Sequence, residues 1–276
     1  MSNSCIVDSI RESKARTKAA ELVKNGHPVG IFNRGVCAIW GDGESKKFCD
    51  SVSQIKGELR KKKALAATFP TELLVQLIDS TMIPSKLHHI FLDANELSER
   101  IGSLCFVRVP VTNKSAQKLP RSMVSKMKNG RYVIQNWDPA GHKPTELFIQ
   151  ELHSIGVKYP AVTSMNISGK PEIVDQDAGI QFARDASIPI FLKDELDTGR
   201  ALGSYTIFNI NRNGIELVRN GNIPWTLFHS LFGVNKIRNM RSKSPIHPQL
   251  DLSGEALSNL SPKEARIAII SSIQQN

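Results

Sequence analysis

The chain has 276 residues, 40% of them hydrophobic and 22% charged, a balance that gives a folded protein with a sizeable core and excludes a fibrous or wholly disordered chain. A formal charge of +10 favours polyanions, nucleotides and nucleic acids among them, as partners. No window approaches the ~18 uncharged apolar residues of a membrane span and MSNSCIVDSIRESKAR has no signal-type apolar core, so a cytoplasmic protein with no membrane partner is expected.

In chain order, residues 15–25 (ARTKAAELVKN) have a helical pattern closed by Gly26, and PVGIF at 28–32 reads as a strand. In ESKKFCDSVSQIKGELR the positions Phe48, Val52, Ile55 and Leu59 form a helical stripe, followed by the strand-like ALAATF at 64–69. TELLVQLID predicts a third helix, HHIFL and SLCFVRV predict strands, and PTELFIQELHSIG predicts a helix feeding the strand YPAVTS. IPIFL, SYTIFNI and GIELVR follow, the last two separated by Asn211-Arg212-Asn213-Gly214, a hairpin-turn composition. Such alternation implies an α/β fold, a sheet flanked by helices. Residues 223–276 read as a linker-like tail ending in a short helix, where Ser261, Pro262 and Glu264 form a capping box.

Several chemistries are excluded by spacing. Cys5, Cys37, Cys49 and Cys105 form no C-x-x-C pair, and the His residues at 27, 88, 89, 142, 153, 229 and 247 show no metal-ligand spacing, so no metal site is expected. There is no G-x-x-x-x-G-K-[ST], GDGES at 41–45 lacks the later glycine of a dinucleotide fingerprint, and Ser164 has no G-x-S-x-G context. What remains is SMNISGKP at 164–171, small hydrogen-bonding residues and a Gly directly after an apolar run. That composition makes a tight turn, or brings backbone close to a ligand.

SMNISGKP resembles the S-x-N-x-S-G-x-P loop of YrdC-like domains, the fold of threonylcarbamoyl-AMP synthases, and neighbouring segments follow that family's order. VSQIKGELRKKKAL is similar to its I-K-G-R-P stretch, GSLCFVRVP to its P-G-P-L-T strand, SYTIFNI to S-T-V-V-D, and LVRNG to the L-R-x-G beyond. The resemblance covers residues 15–222. It implies a twisted, mostly open sheet, with ATP, Mg2+, bicarbonate and L-threonine condensed to threonylcarbamoyl-AMP and pyrophosphate for tRNA modification. On the nucleotide side it implies Lys56 and Arg60 as phosphate cations, hydrogen bonds from Ser164, Asn166 and Ser168, and Arg219 as a bidentate partner. No catalytic residue is assigned.

The chain departs from the family on the amino-acid side. FNRGVCAI at 32–39 stands where the family has P-T-[DE]-T-V-Y-G-L, which puts Asn33, Arg34 and Cys37 in place of Thr, an acid and Tyr. Glu58 stands where the family has Arg, QNWDP lacks the family's Arg, and Tyr205 replaces a Ser. Two readings stay open: an ATP-binding nucleotidyltransferase with an altered acceptor, and a non-catalytic module for tRNA or double-stranded RNA. The second rests on Lys61, Lys62 and Lys63, and on the acid-free stretch 112–131 with its six Lys and Arg.

Overall fold

The computed structural model describes residues 4–57, 63–127, 129–197, 202–239, 250, 252 and 254–274. Two compact units interleave in sequence: Met1–Thr68, Pro120–Met123 and His142–Gly199 make the first, and Phe69–Leu119, Val124–Gly141 and Arg200–Asn276 the second. The division runs inside the 15–222 segment and the second unit takes in the residues from 223 onward.

In the first unit the strand order is Ile6–Ser9, Ile190–Lys193, Val29–Phe32, Cys37–Asp42, Pro160–Ser164, Ala66–Ala67. The first two pairings are parallel, and those from Val29–Phe32 onward are antiparallel. Helix Ser13–Lys24 buries Ala15, Ala19, Ala20 and Val23 and stops before Gly26 at φ 76°. Helix Lys46–Lys56 starts where Ser45 Oγ accepts from Phe48 N at 3.2 Å, buries Phe48 and Val52, and ends at Gly57 with φ 76°. Gly41 lets that helix lie close, since a Cβ there would stand 2.2 Å from Phe48 Cδ2. Trp40 and Phe148, both fully buried, meet edge to face at 5.9 Å in the core.

In the second unit Tyr132–Trp137, Cys105–Val111, Thr206–Asn211, Gly214–Arg219 and Arg238–Asn239 lie in that order, with Val124–Lys126 beside the first. The expected hairpin forms, Asn211 opposite Gly214. Two expectations are corrected. HHIFL is helical over His88–Phe91, because Ile90 and Phe91 both go into the core and a 3-10 turn, Ser85–Leu87, leads into them. Of ALAATF only Ala66–Ala67 is strand. The segment read as a linker carries the turn Trp225–Leu227 and helix Phe228–Phe232, whose Phe228 and Phe232 pack on Phe208 at 4.7 and 5.2 Å. The C-terminal helix Pro262–Gln274 forms as expected. Glu264 accepts from Ser261 N at 2.8 Å, and Ser261 Oγ accepts in turn from Glu264 N at 3.3 Å. The α/β class and the helix-flanked sheet are thus as the sequence implied. Among the described residues no helix is long and apolar enough to cross a membrane.

Candidate functional site

Strand Pro160–Ser164, paired with Cys37–Asp42, delivers the chain into the 164–170 loop. Fully buried Met165 anchors it, its N–H donating to Cys37 O at 2.8 Å. Gly169 then takes φ 89°, which a side chain resists, and Lys170 N closes a turn on Ile167 O at 3.0 Å. Lys56, the last residue of its helix, reaches in from below. Its ammonium donates to Ser164 O, Asn166 O and Asn166 Oδ1 at 2.5, 2.8 and 2.9 Å, and its own carbonyl accepts from Ser168 N at 3.1 Å. Three acceptors for three donors explain how a lysine only 4% exposed keeps its charge company.

Asn166 is likewise engaged with the loop. Its Oδ1 also accepts from Ser164 Oγ at 2.7 Å and its Nδ2 donates to Lys170 O at 2.6 Å. Lys56, Ser164, Asn166 and Ser168 are therefore brought together, with the first three serving as struts. The N–H groups of Ile167 and Gly169 and the hydroxyl of Ser168 have no hydrogen-bond partner among the described residues. An electropositive brace under two such N–H groups is chemistry suited to an anion.

Asn33 and Arg34 sit in a tight turn where Asn33 N donates to Val36 O at 2.8 Å. Both are buried, 3% and 5% exposed, and Arg34 holds φ 47°, a conformation unusual for a side chain of its size. Asn33 Oδ1 accepts from Thr145 Oγ1 at 3.2 Å, Thr145 Oγ1 lies 2.7 Å from His142 Nδ1, and His142 Nε2 lies 3.3 Å from Asp194 Oδ2. Arg11 Nε donates to Asp194 Oδ1 at 2.7 Å, and Gln176 brackets the Asp194 backbone. Burial lowers the His142 pKa, with Asp194 pulling the other way. Burial alone would raise Asp194, but its hydrogen bonds from His142 and Arg11 leave it below the usual carboxylate range. Cys37 is fully buried and its thiol is pushed well up by burial, then by Asp175, so it is no nucleophile.

Sequence reasoning missed Arg11, His142, Thr145 and Asp194. The one local signal was His142-x-x-Thr145 at the start of helix Lys143–Ser154, an N-cap residue and the residue three beyond it. Arg219 and Tyr205 are brought together in the second unit: Arg219 Nε and Nη2 fork onto Tyr205 O at 3.0 and 2.7 Å. The Tyr205 ring packs on Phe106 and Trp137 at 5.9 and 5.5 Å. Arg60, Lys61 and Lys62 lie outside the described residues, and Lys63 is exposed. No group of three His, Cys, Asp or Glu among the described residues is placed to hold a metal ion.

No family model and no curated protein sequence matches the chain. Solved structures do. Sua5 of P. abyssi, complexed with L-threonine, is 18% identical, with 86% of this chain and 62% of that one covered at a TM-score of 0.64. YciO of E. coli is 13% identical over 78% of this chain and 93% of that one, TM-score 0.56. HypF in its phosphate- and nucleotide-bound form is 15% identical over 75% of this chain and 29% of that one, TM-score 0.55. The chain thus spans less than two thirds of that Sua5 chain, and at such identities the likeness is one of fold: a YrdC-like fold, as the order of segments implied.

Proposed function

We propose that this chain binds ATP at the loop 164–169 and acts as a divergent relative of the threonylcarbamoyl-AMP synthases, transferring AMP to a carbamate. The observation that carries the reading is the Lys56-braced loop, with Ile167 N–H, Gly169 N–H and Ser168 Oγ available around a buried ammonium. Fixed donors of this kind suit phosphate oxygens, and they need no rearrangement as charge develops on them. HypF of the same fold holds phosphate and nucleotide, and Sua5 holds L-threonine. In the reaction a carbamate oxygen attacks the α-phosphorus, and the bond from that phosphorus to the bridging oxygen breaks. Pyrophosphate leaves with the electron pair. Mg2+ enters with the nucleotide, as the counter-ion of its phosphates.

Calorimetry with ATP and Mg2+ tests the reading. Saturable binding is expected, with Asn166→Ala weakening it by about 1 to 3 kcal/mol, because the substitution leaves Lys56 and Ser164 without a shared acceptor. No binding at millimolar ATP removes the assignment.

The acceptor side is altered. Asn33 is committed to Thr145 and Cys37 is buried, so neither offers a family-like contact to threonine. Pyrophosphate release from ATP and bicarbonate is therefore expected to respond weakly to L-threonine. Strong, selective stimulation by threonine in a screen of amino acids would show the usual acceptor to be retained.

The second reading, a module for tRNA or double-stranded RNA, is favoured by the exposure of Lys63, Lys114, Arg121 and Lys126 in the basic stretches.

A further inference from the structure

We infer that His142 is a proton-operated switch on the turn 33–36: the charge on its imidazole decides, through the Thr145 hydroxyl, whether the Asn33 side chain meets Thr145 as an acceptor or as a donor. Arg11, Asp194, His142, Thr145 and Asn33 form one hydrogen-bonded line inside the first unit, and all but Arg11 are buried.

The inference follows from counting protons along that line. Thr145 has a single hydroxyl proton, and it is given to Asn33 Oδ1 at 3.2 Å, so the 2.7 Å contact with His142 Nδ1 needs a proton on the nitrogen. Asp194 takes Arg11 Nε on Oδ1 at 2.7 Å and is ionised, its pKa depressed despite burial, so its Oδ2 can only accept. The 3.3 Å contact of Oδ2 with His142 Nε2 therefore needs a proton on that nitrogen too. With both nitrogens protonated the ring is an imidazolium.

When the ring loses a proton to solvent, it loses it from Nδ1, because a bare Nε2 would face the Asp194 carboxylate. Nδ1 becomes an acceptor, the Thr145 proton swings to it, and Thr145 Oγ1 turns its lone pairs on Asn33 Oδ1. Two oxygens 3.2 Å apart with no proton between them repel. Turning the Asn33 amide over restores the bond, with Nδ2 donating to Oγ1, and the other end of the amide changes from N–H to carbonyl. The turn that changes is tightly held: Asn33 N donates to Val36 O at 2.8 Å, Arg34 stands at φ 47°, and Gly35 N donates to Asp197 Oδ2 at 2.9 Å.

The surrounding charges set where the change falls. Burial lowers the His142 pKa, the Asp194 bond opposes it, Arg34 of the turn lowers it further, and Asp197 opposes again, leaving it below the ordinary imidazole value of 6.5. The other charged groups on the elements around it are already engaged. Arg16 of helix Ser13–Lys24 pairs with Glu151 at 2.9 Å, Lys143 with Glu146 at 3.4 Å, Asp175 accepts from Ala178 N, and Glu195 from Ser9 Oγ. None of this depends on ATP binding at the loop 164–169.

The test is NMR of the full chain from about pH 4 to about pH 8, following the ring nitrogens of His142 and the side-chain amide of Asn33. A single titration below pH 6.5 is expected in both signals, with the neutral ring protonated on Nε2. Thr145→Val keeps the shape and removes the relay, so the ring should still titrate while the Asn33 amide stops responding; Thr145→Ser, which keeps the hydroxyl, should retain both responses. Asp194→Asn keeps Oδ1 for Arg11 and turns an N–H donor toward His142 Nε2. The neutral ring then carries its proton on Nδ1, and the Asn33 signal should stay at its low-pH position throughout. An Asn33 amide blind to the ring's titration, one that still follows it in Thr145→Val, a neutral parent ring protonated on Nδ1, or a ring that does not titrate in this range overturns the inference.

Discussion

Lys56 and Asp138 are both buried ionisable groups, and their surroundings treat them oppositely. The Lys56 ammonium meets three loop oxygens, so Lys56→Met removes the donors while the oxygens stay in place. About 3 kcal/mol of stability should be lost, read as a lower urea midpoint, together with ATP affinity. Asp138 has one oxygen served by Ala140 N at 3.0 Å and the other buried without a partner. Burial lifts its pKa from 3.8 to about 6, against the opposing pull of the Ala140 hydrogen bond and Arg266. Between those values the folded state binds more proton than the unfolded one. The group therefore costs nothing below pH 3.8, costs progressively more as pH rises, and reaches its full cost above pH 6. Asp138→Asn should gain about 3 kcal/mol relative to the parent between pH 4 and pH 7, a difference that cancels the opposing titration of His142. A flat difference across that range in urea unfolding would show that Asp138 is ionised at little cost.

Glycines mark where elements stop or touch, and two of them separate conformational from steric cost. Among the described residues a Cβ at Gly57 meets nothing within 4 Å, so Gly57→Ala carries only the backbone penalty of φ 76°, ψ −177°, a region kept by glycine, about 2 kcal/mol. Gly41→Ala drives a methyl to 2.2 Å from Phe48, which is fully buried and has nowhere to turn, and should cost about 3 kcal/mol. Thermal unfolding of the pair would rank them, and equal losses would mean that helix Lys46–Lys56 shifts to relieve the clash. The same elements show what a sequence discloses. The stop of helix Ser13–Lys24 at Gly26 and the stripe Phe48, Val52 and Ile55 were legible because both are local, although as a sequence pattern the stripe runs on past the stop at Gly57 to Leu59, which lies outside the described residues. The 164–169 loop was legible because residue type and order coincide. HHIFL was not, since three apolar residues in a row carry no period that distinguishes a strand from one helical turn. Nor was the Asn33–Thr145–His142–Asp194–Arg11 chain, whose members come from separate segments and meet only after the strands have paired.

For the whole molecule the charge of +10 is the property that acts at long range, before any site is reached. Much of it stands on surface side chains: Lys63, Lys114, Arg121 and Lys126 are exposed, whereas Arg16 and Lys56 are buried and already engaged. Surface cations attract nucleic acid through its phosphates, and an A-form helix offers side chains little access to its bases in the major groove. Binding to double-stranded RNA should therefore vary little with sequence and fall steeply with salt. Replacing Lys61, Lys62 and Lys63 by Ala should weaken it for every duplex and reduce the slope of log affinity against log salt by up to about 3, if each lysine neutralises one phosphate. The unfolding transition and ATP binding should be unchanged, which separates loss of charge from loss of fold. A filter-binding titration that returns the parent affinity and the parent slope would make the run a solvated surface, and would leave the proposed nucleotide site as the one reading that the basic charge serves.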